Sequence, residues 1–358
     1  MRAVFPAFLS VQGPTLSDDE KRLFAKYNPL GVCLFAIGCA NIENSSQVQK
    51  LVAQIKETVG RDDVLIAVDQ EGGRVRRLTE PEWTPVAAQS QIATKQNAVL
   101  HAQLISKDLK NCGINVNFAP VLDVAYKTTN AVLKNRCFSN DEIKIAELGG
   151  AMVTAYENSG VCPCIKHLPG HGRAQADPHL QLPIIEENLQ ALEKDFYPFR
   201  QLRNTPMGMA AHIVLKAVDA ENPATFSAKV IKEIIREKIG FEGLLVSDAI
   251  MMNALKGSVA ERATKCIDAG CDVVCLGNAD FAANEELCRS DIKMTDAAQE
   301  RLQKVLKITR RALPSADYEY LQNKYCRSLK NIISYSYEYD ATEVLNKLRN
   351  SKKGDKNV

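Results

Sequence analysis

The feature of this sequence that most restricts its fold is a regular alternation of short apolar runs with longer segments of helical spacing. The apolar runs are rich in β-branched residues, as buried strands are, and cover Arg2–Val11, Gly31–Ile37, Val64–Val68, Ile114–Phe118, Val161–Ile165, Met207–Ala211, Leu244–Val246 and Asp272–Leu276. Helical spacing appears between them, in Asn44–Val59, Asn97–Asn111, Asp141–Asn158, Ser227–Lys238 and Ser258–Ala269. Eight strands alternating with helices predict an α/β fold, a single (β/α)₈ TIM-type barrel.

A doubly wound parallel sheet is the main rival fold. Its nucleotide-binding forms carry Gly-x-Gly-x-x-Gly after the first strand, and no such motif occurs there. Because no linker rich in proline, serine or glycine divides the chain before Pro314, residues 1–313 are predicted to form one catalytic barrel. Six of the ten tyrosines lie between Tyr318 and Tyr339. Residues 314–350 are therefore predicted to be a helical extension packed on the barrel, and the polar, lysine-rich residues 351–358 a flexible tail.

Composition excludes several classes of partner. The 358 residues carry a formal net charge of +2, which argues against a nucleic-acid binder, and no apolar stretch is long enough to cross a membrane. The eleven cysteines are odd in number, and no Cys-x-x-Cys pair occurs. Most of them fall inside predicted strands or helices, so we expect reduced, buried thiols and a cytoplasmic protein.

The segment Lys166–Pro183 contains three of the five histidines, together with three prolines and two glycines. Because so many of its residues restrict or free the backbone, we expect a shaped loop rather than a helix or strand. Within it, Asp177 lies two residues before His179. A carboxylate at that spacing can orient the imidazole and raise its pKa, which makes His179 a candidate general acid and base.

Polar residues follow the predicted strands at the end where a TIM barrel places its active site. They are Asp69 after the third strand, Asp123 after the fourth, Lys166 and His167 after the fifth, His212 after the sixth and Asp248 after the seventh. Asp248 is the strongest candidate, because burying a carboxylate at the tip of a strand costs free energy unless the carboxylate is paired or has a functional role. His212 is a substrate-binding candidate from its place on this rim, and the forked donors of Arg77 and Arg136 suit a hydroxyl-rich or anionic ligand.

At these residues the sequence resembles glycoside hydrolase family 3, and within it the bacterial cytosolic single-domain β-N-acetylglucosaminidases of peptidoglycan recycling. The matching stretches are Val68-Asp69-Gln70-Glu71-Gly72-Gly73, Asn117 to Asp123, Asn135-Arg136-Cys137-Phe138, Lys166 to Pro183, Ala211-His212 and Phe241 to Asp248. The resemblance implies that Asp248 is the nucleophile and that the Asp177–His179 pair supplies the acid/base. It also implies sugar contacts from Asp69, Arg77, Arg136, Lys166 and His167.

By the same resemblance the substrate is a terminal β-linked N-acetylglucosamine on 1,6-anhydro-N-acetylmuramic acid that carries a peptide. This implies a small-molecule carbohydrate partner (a muropeptide), no cofactor, no metal, and a monomer. Three positions depart from the family pattern: Pro178 and Cys137 stand where serine is usual, and Ala249 stands where a second acidic residue is frequent. Pro178 restricts the backbone between Asp177 and His179 and so bears on the mobility of that loop.

Two other functions are compatible with the same residues. One is a metal-dependent amidohydrolase on a TIM barrel, since histidines after strands five and six and an aspartate after strand seven resemble a ligand set. Against it, the first strand carries no His-x-His. The other is a sugar-binding barrel without turnover, which would keep Asp69 and Arg77 while Asp248 and His179 became dispensable.

Overall fold

The computed structural model describes residues 3–35, 41–174, 182–252, 255–277 and 280–329. Its main element is an eight-stranded parallel sheet in which each strand pairs with its neighbours in chain order. The strands are β1 (Phe5–Ser10), β2 (Pro29–Leu34), β3 (Leu65–Val68), β4 (Val116–Asn117), β5 (Cys162–Leu168), β7 (Met207–Ala210), β9 (Leu244–Ser247) and β10 (Val274–Cys275). β1 also pairs with β10, and a parallel bridge between Val246 and Val273 joins the remaining edges. The sheet therefore curves into the predicted TIM-type barrel.

Helices surround this sheet and connect its strands. They are α1 (Asp18–Tyr27), α2 (Ser45–Val59), α3 (Lys95–Asn111), α4 (Ala131–Lys134), α5 (Glu142–Asn158), α6 (Leu189–Gln201), a π-helix (Val230–Lys238), α7 (Val259–Ala269), α8 (Phe281–Cys288), α9 (Asp296–Thr309) and α10 (Tyr318–Ser328). Local sequence sets their starts: Ser17 and Glu20 form a capping box at α1, and Asn44 caps α2. The helices predicted from spacing are confirmed, with Val230–Lys238 in the π form.

Apolar side chains fill both faces of the barrel strands. One core lies inside the barrel, where Phe8 and Phe118 meet edge to face with ring centroids 5.6 Å apart. A second core lies between the strands and the helices. Strands buried on both faces read as continuous apolar runs rather than alternating ones, which is why their positions could be predicted.

The predicted loop from Lys166 is wrong at its beginning. β5 continues through Lys166 and His167 to Leu168, and the register of β5 against β7 shifts between Lys166 and Leu168. This irregularity lies where the strand carries Lys166 and His167 to the barrel mouth. A small parallel pair of strands at the barrel mouth, β6 (Ile184–Ile185) with β8 (Val214–Leu215), was not predicted.

The part of the C-terminal extension that the structure describes is α10, which packs on α3. Ten cysteines lie among the described residues; nine of them are buried, as predicted, and Cys326 is exposed. Within the described ranges, no helix is both long enough and apolar enough to span a membrane. The boundaries proposed at residues 313 and 350 stay predictions.

Candidate active site

A buried network of alternating charges lies at the carboxyl ends of the third and fifth barrel strands. The Lys166 ammonium lies 2.8 Å from Asp69 Oδ1 and 2.6 Å from Glu71 Oε1. Burial alone would lower the pKa of Lys166, but the two carboxylates outweigh that effect and raise it. Lys166 therefore stays charged although its side chain is only 2% exposed.

Glu71 is the centre of this network. Its carboxylate accepts two hydrogen bonds from Arg136, from Nε and from a terminal nitrogen, each 2.8 Å long. Burial raises the pKa of Glu71, yet Arg136 and Lys166 outweigh the burial and hold that pKa well below its usual range. A bidentate arginine pair of this kind fixes the geometry of both partners. Glu71 thus holds the Arg136 guanidinium and the Lys166 ammonium next to each other at the barrel mouth.

His167 extends the network to a second carboxylate. Its Nδ1 lies 2.6 Å from Asp123 Oδ2, and its Nε2 lies 3.3 Å from an Arg136 nitrogen. Because a guanidinium can only donate, Nε2 accepts and the proton of a neutral ring is on Nδ1. The other Asp123 oxygen accepts from the backbone N–H of His171 at 2.6 Å. Asp123 therefore orients His167 and the turn that follows it.

Asp248 lies directly after β9, on the same rim. Its backbone N–H donates to Ala210 O at 2.9 Å, and its Oδ1 accepts from the N–H of Ala249 at 2.7 Å. Burial raises the pKa of this carboxyl, but its surroundings, among them this backbone hydrogen bond and the Lys166 ammonium, give a net lowering. Asp248 is therefore an anion at neutral pH, which is the form that a nucleophile requires.

His212 has partners at both ring nitrogens. Nδ1 lies 2.7 Å from the Thr225 hydroxyl, and Nε2 lies 3.1 Å from Ala249 O. Since the Ala249 carbonyl can only accept, Nε2 carries the proton and Nδ1 accepts from Thr225. The ring is fully buried, and burial lowers its pKa, so it is neutral. These contacts support the segment after Asp248, and the substrate contact expected of His212 stays a prediction.

Arg77 lies at the end of the loop that begins at Asp69. One nitrogen of its guanidinium lies 3.7 Å from Asp69 Oδ2, and the guanidinium lies over the Phe35 ring. The Gln70 side chain connects the two ends of this loop. The Gln70 side-chain oxygen accepts from the N–H groups of Arg77 at 2.7 Å and Leu78 at 3.0 Å. The position of Arg77 therefore depends on the buried Gln70 amide.

Of the site residues expected from sequence, the structure brings Asp69, Arg77, Arg136, Lys166 and His167 into one linked cluster, with Asp248 and His212 on the adjoining strands. Asp177 and His179 lie outside the described residues. Sequence reasoning did not assign roles to Glu71 or Gln70. A role for Glu71 was not evident from the sequence, because an acidic residue before Gly72-Gly73 also fits an ordinary turn.

Within the ranges that the structure describes, no group of three or more His, Cys, Asp or Glu side chains is arranged to hold a metal ion. His167 and His212, the two histidines that suggested such a ligand set, each use both ring nitrogens within the protein.

Comparison with known proteins agrees with this fold. Residues 7–310 match the glycosyl hydrolase family 3 N-terminal domain. The chain is 35% identical over 295 residues to a β-hexosaminidase of Nitrosomonas eutropha, an alignment that covers 79% of this chain and 83% of the relative. It is 33% identical over 334 residues to a β-hexosaminidase of Bordetella parapertussis, with 89% and 91% covered.

Solved structures show the same likeness. NagZ from Neisseria gonorrhoeae, determined in complex with N-trifluoroacetyl-D-glucosamine, superposes with a TM-score of 0.79 at 29% sequence identity, and the match covers 91% of this chain and 99% of that one. The family model spans most of the barrel, and both relatives exceed 30% identity over most of the chain. The chain therefore belongs to glycosyl hydrolase family 3 and is a glycoside hydrolase.

Proposed function

We propose that this glycoside hydrolase is a retaining exo-β-N-acetylglucosaminidase that releases terminal β-1,4-linked N-acetylglucosamine from 1,6-anhydro-N-acetylmuramyl fragments of the cell wall. The observation that carries the proposal is the Asp248 carboxylate directly after β9, on the same barrel rim as the Lys166–Asp69–Glu71–Arg136 network. The β-hexosaminidase relatives, and the N-trifluoroacetyl-D-glucosamine bound by the Neisseria structure, support the choice of an amino sugar.

Asp248 is the proposed nucleophile. One of its oxygens attacks the anomeric carbon while the bond to the leaving oxygen breaks, and a covalent glycosyl-enzyme forms. The transition state carries positive charge on the sugar ring. Four carboxylates belong to this cluster, those of Asp69, Glu71, Asp123 and Asp248. Negative charge placed at the barrel mouth favours a cationic sugar ring.

His179 is the proposed acid and base, with Asp177 orienting its ring. In the first step a protonated His179 gives its proton to the leaving oxygen. In the second step the neutral ring takes a proton from water, the water oxygen attacks the anomeric carbon, and Asp248 leaves. Each step inverts the anomeric centre, so the product keeps the β configuration of the substrate.

The sugar-binding roles follow from the donors and acceptors of the network. Asp69 can accept from sugar hydroxyls, while Arg77, Arg136 and Lys166 can donate to them from fixed positions. We propose that the protein acts on this substrate in the cytoplasm. The free, buried cysteines of the described residues agree with a reducing compartment. We propose a monomer with one catalytic barrel, as the resemblance to single-domain members of the family implies.

A chromogenic 4-nitrophenyl N-acetyl-β-D-glucosaminide tests the proposed activity. We expect release of nitrophenol from this substrate and none above background from its α-anomer, because attack by Asp248 requires the leaving group on the opposite face of the sugar ring. A defined muropeptide with terminal N-acetylglucosamine should release that sugar, as read by mass spectrometry. A folded protein that cleaves neither β-linked substrate would contradict the proposal and favour the sugar-binding barrel.

The acid role of His179 predicts a dependence on the leaving group. In His179→Ala, kcat/KM should fall on the order of 10³-fold for an alkyl glycoside, whose leaving oxygen needs a proton. For a 2,4-dinitrophenyl glycoside the fall should be about tenfold, because that leaving group departs without protonation. The measurement is a series of N-acetyl-β-D-glucosaminides that differ only in leaving-group pKa. Equal losses across the series would exclude the acid role.

A further inference from the structure

A chain of hydrogen bonds runs from the C-terminal helix to the backbone of Glu71. Ala87 N–H lies 3.1 Å from the Tyr325 hydroxyl oxygen, and that oxygen lies 2.7 Å from His101 Nδ1. His101 Nε2 in turn lies 2.9 Å from Glu71 O. Tyr325 belongs to α10 and His101 to α3, so two helices outside the barrel reach the centre of the charge network.

The direction of each hydrogen bond can be assigned. The Glu71 carbonyl can only accept, so His101 Nε2 carries the proton and His101 Nδ1 is the acceptor. The Tyr325 hydroxyl then donates to Nδ1 and accepts from Ala87. Burial lowers the pKa of His101 to about 4 and raises the pKa of Tyr325, so a neutral ring and a protonated phenol agree with this assignment.

The chain is buried and tightly packed. Tyr325 is the one buried residue of α10, and both it and His101 are inaccessible to solvent. Gly72 has φ of +101°, and a side chain there would place its Cβ 2.1 Å from Ala87 O and 2.8 Å from the His101 ring. The loop of Glu71 therefore rests directly on the His101 ring, with no space for it to shift toward the helix.

We propose that His101 and Tyr325 are positioning residues for the sugar site: they hold the Glu71 backbone, and through its carboxylate they set the places of Arg136 and Lys166. The C-terminal helix is then part of the active-site support and not only a cover for α3. This inference rests on the proposed function, because it concerns how that site holds its sugar.

The test is the Tyr325→Phe variant, which removes the hydroxyl and keeps the ring. Tyr318→Phe is the matched control: it makes the same change on the same helix, where the hydroxyl donates to Pro314 O and has no hydrogen bond to the site. Because the proposed contacts of Arg136 and Lys166 with the sugar form in the ground state and in the transition state alike, we expect KM to rise about fivefold while kcat stays within about twofold. The inhibition constant of N-acetylglucosamine should rise with KM, and Tyr318→Phe should leave both unchanged.

A second pair of variants separates positioning from packing. His101→Gln keeps a donor for Glu71 O, whereas His101→Leu has similar bulk and no donor. We expect His101→Gln to retain a KM closer to the wild type than His101→Leu does, with both compared per folded molecule. Loss of thermal stability in Tyr325→Phe with KM and the inhibition constant unchanged would overturn the proposal, as would equal KM values for the two His101 variants.

The two proposals fail in different ways. A wild-type protein without hydrolysis of the chromogenic substrate contradicts the proposed function itself. Normal wild-type hydrolysis together with an unaltered Tyr325→Phe variant contradicts only the positioning role of α10.

Discussion

Asp248→Ala is expected to lower kcat for the chromogenic substrate on the order of 10⁴-fold, because no other oxygen nucleophile takes the place of this carboxylate in the proposed reaction. Azide should restore part of the activity by entering the space left by the side chain. The azide product should have the α configuration, since only one inversion then occurs. Steady-state rates with and without azide, and the anomeric configuration of the product, are the measurements.

Asp272→Asn is the control for this variant. Asp272 is also a buried aspartate of the barrel, but it precedes β10, at the opposite end from the active site, where it pairs with Arg236 and Arg301. We expect this control to lower the melting temperature and to keep kcat per folded molecule. An Asp248→Ala protein with kcat near that of the wild type would exclude the proposed nucleophile.

Glu71→Gln is expected to have the second largest effect, on stability as well as on activity. The substitution keeps the shape of the side chain but removes the buried carboxylate charge that pairs with Arg136, and it leaves Lys166 paired with Asp69 alone. Breaking a buried ion pair costs about 3 kcal/mol of unfolding free energy, and a shift of the two cations by about 1 Å would lower kcat/KM about 100-fold. Denaturant unfolding and kinetics with the chromogenic substrate measure the two effects.

Glu20→Gln provides the comparison for Glu71→Gln. Glu20 is equally buried, and its carboxylate accepts from the backbone N–H groups of Gln12 and Ser17 at the start of α1. We expect it to lose stability and to keep kcat/KM per folded molecule. If Glu71→Gln lost stability but kept the kcat/KM of the wild type, Glu71 would have no part in placing the sugar-binding cations.

Most of the barrel could be predicted because its signals are local. Strands buried on both faces are continuous apolar runs, and helix caps such as Ser17 and Asn44 act over three residues. The end of β5 could not be predicted, because Pro169 and Gly170 follow His167 so closely that turn chemistry hides the last strand residues. The π form of Val230–Lys238 was also hidden, since one apolar face serves an α-helix and a π-helix alike.

The candidate site was predictable where a candidate residue lies at the end of a strand. Asp69 and Asp248 directly follow their strands and Lys166 lies near the end of β5, and the shared rim of a parallel barrel brings them together. The contacts of Glu71 depend on tertiary structure: Arg136 is 65 residues away in sequence, and Tyr325 lies 224 residues from His101. A pattern of neighbouring residues cannot predict contacts between side chains that are so far apart in the sequence.

The central claim is that Asp248 forms a covalent bond to the sugar. A 5-fluoro-N-acetylglucosaminyl donor with an activated leaving group should trap that intermediate, because fluorine slows both steps while the leaving group speeds the first. Intact-mass analysis should then show one sugar per chain, and peptide mapping should place it on Asp248. A label on another residue, or a product released with inverted anomeric configuration, would contradict the account.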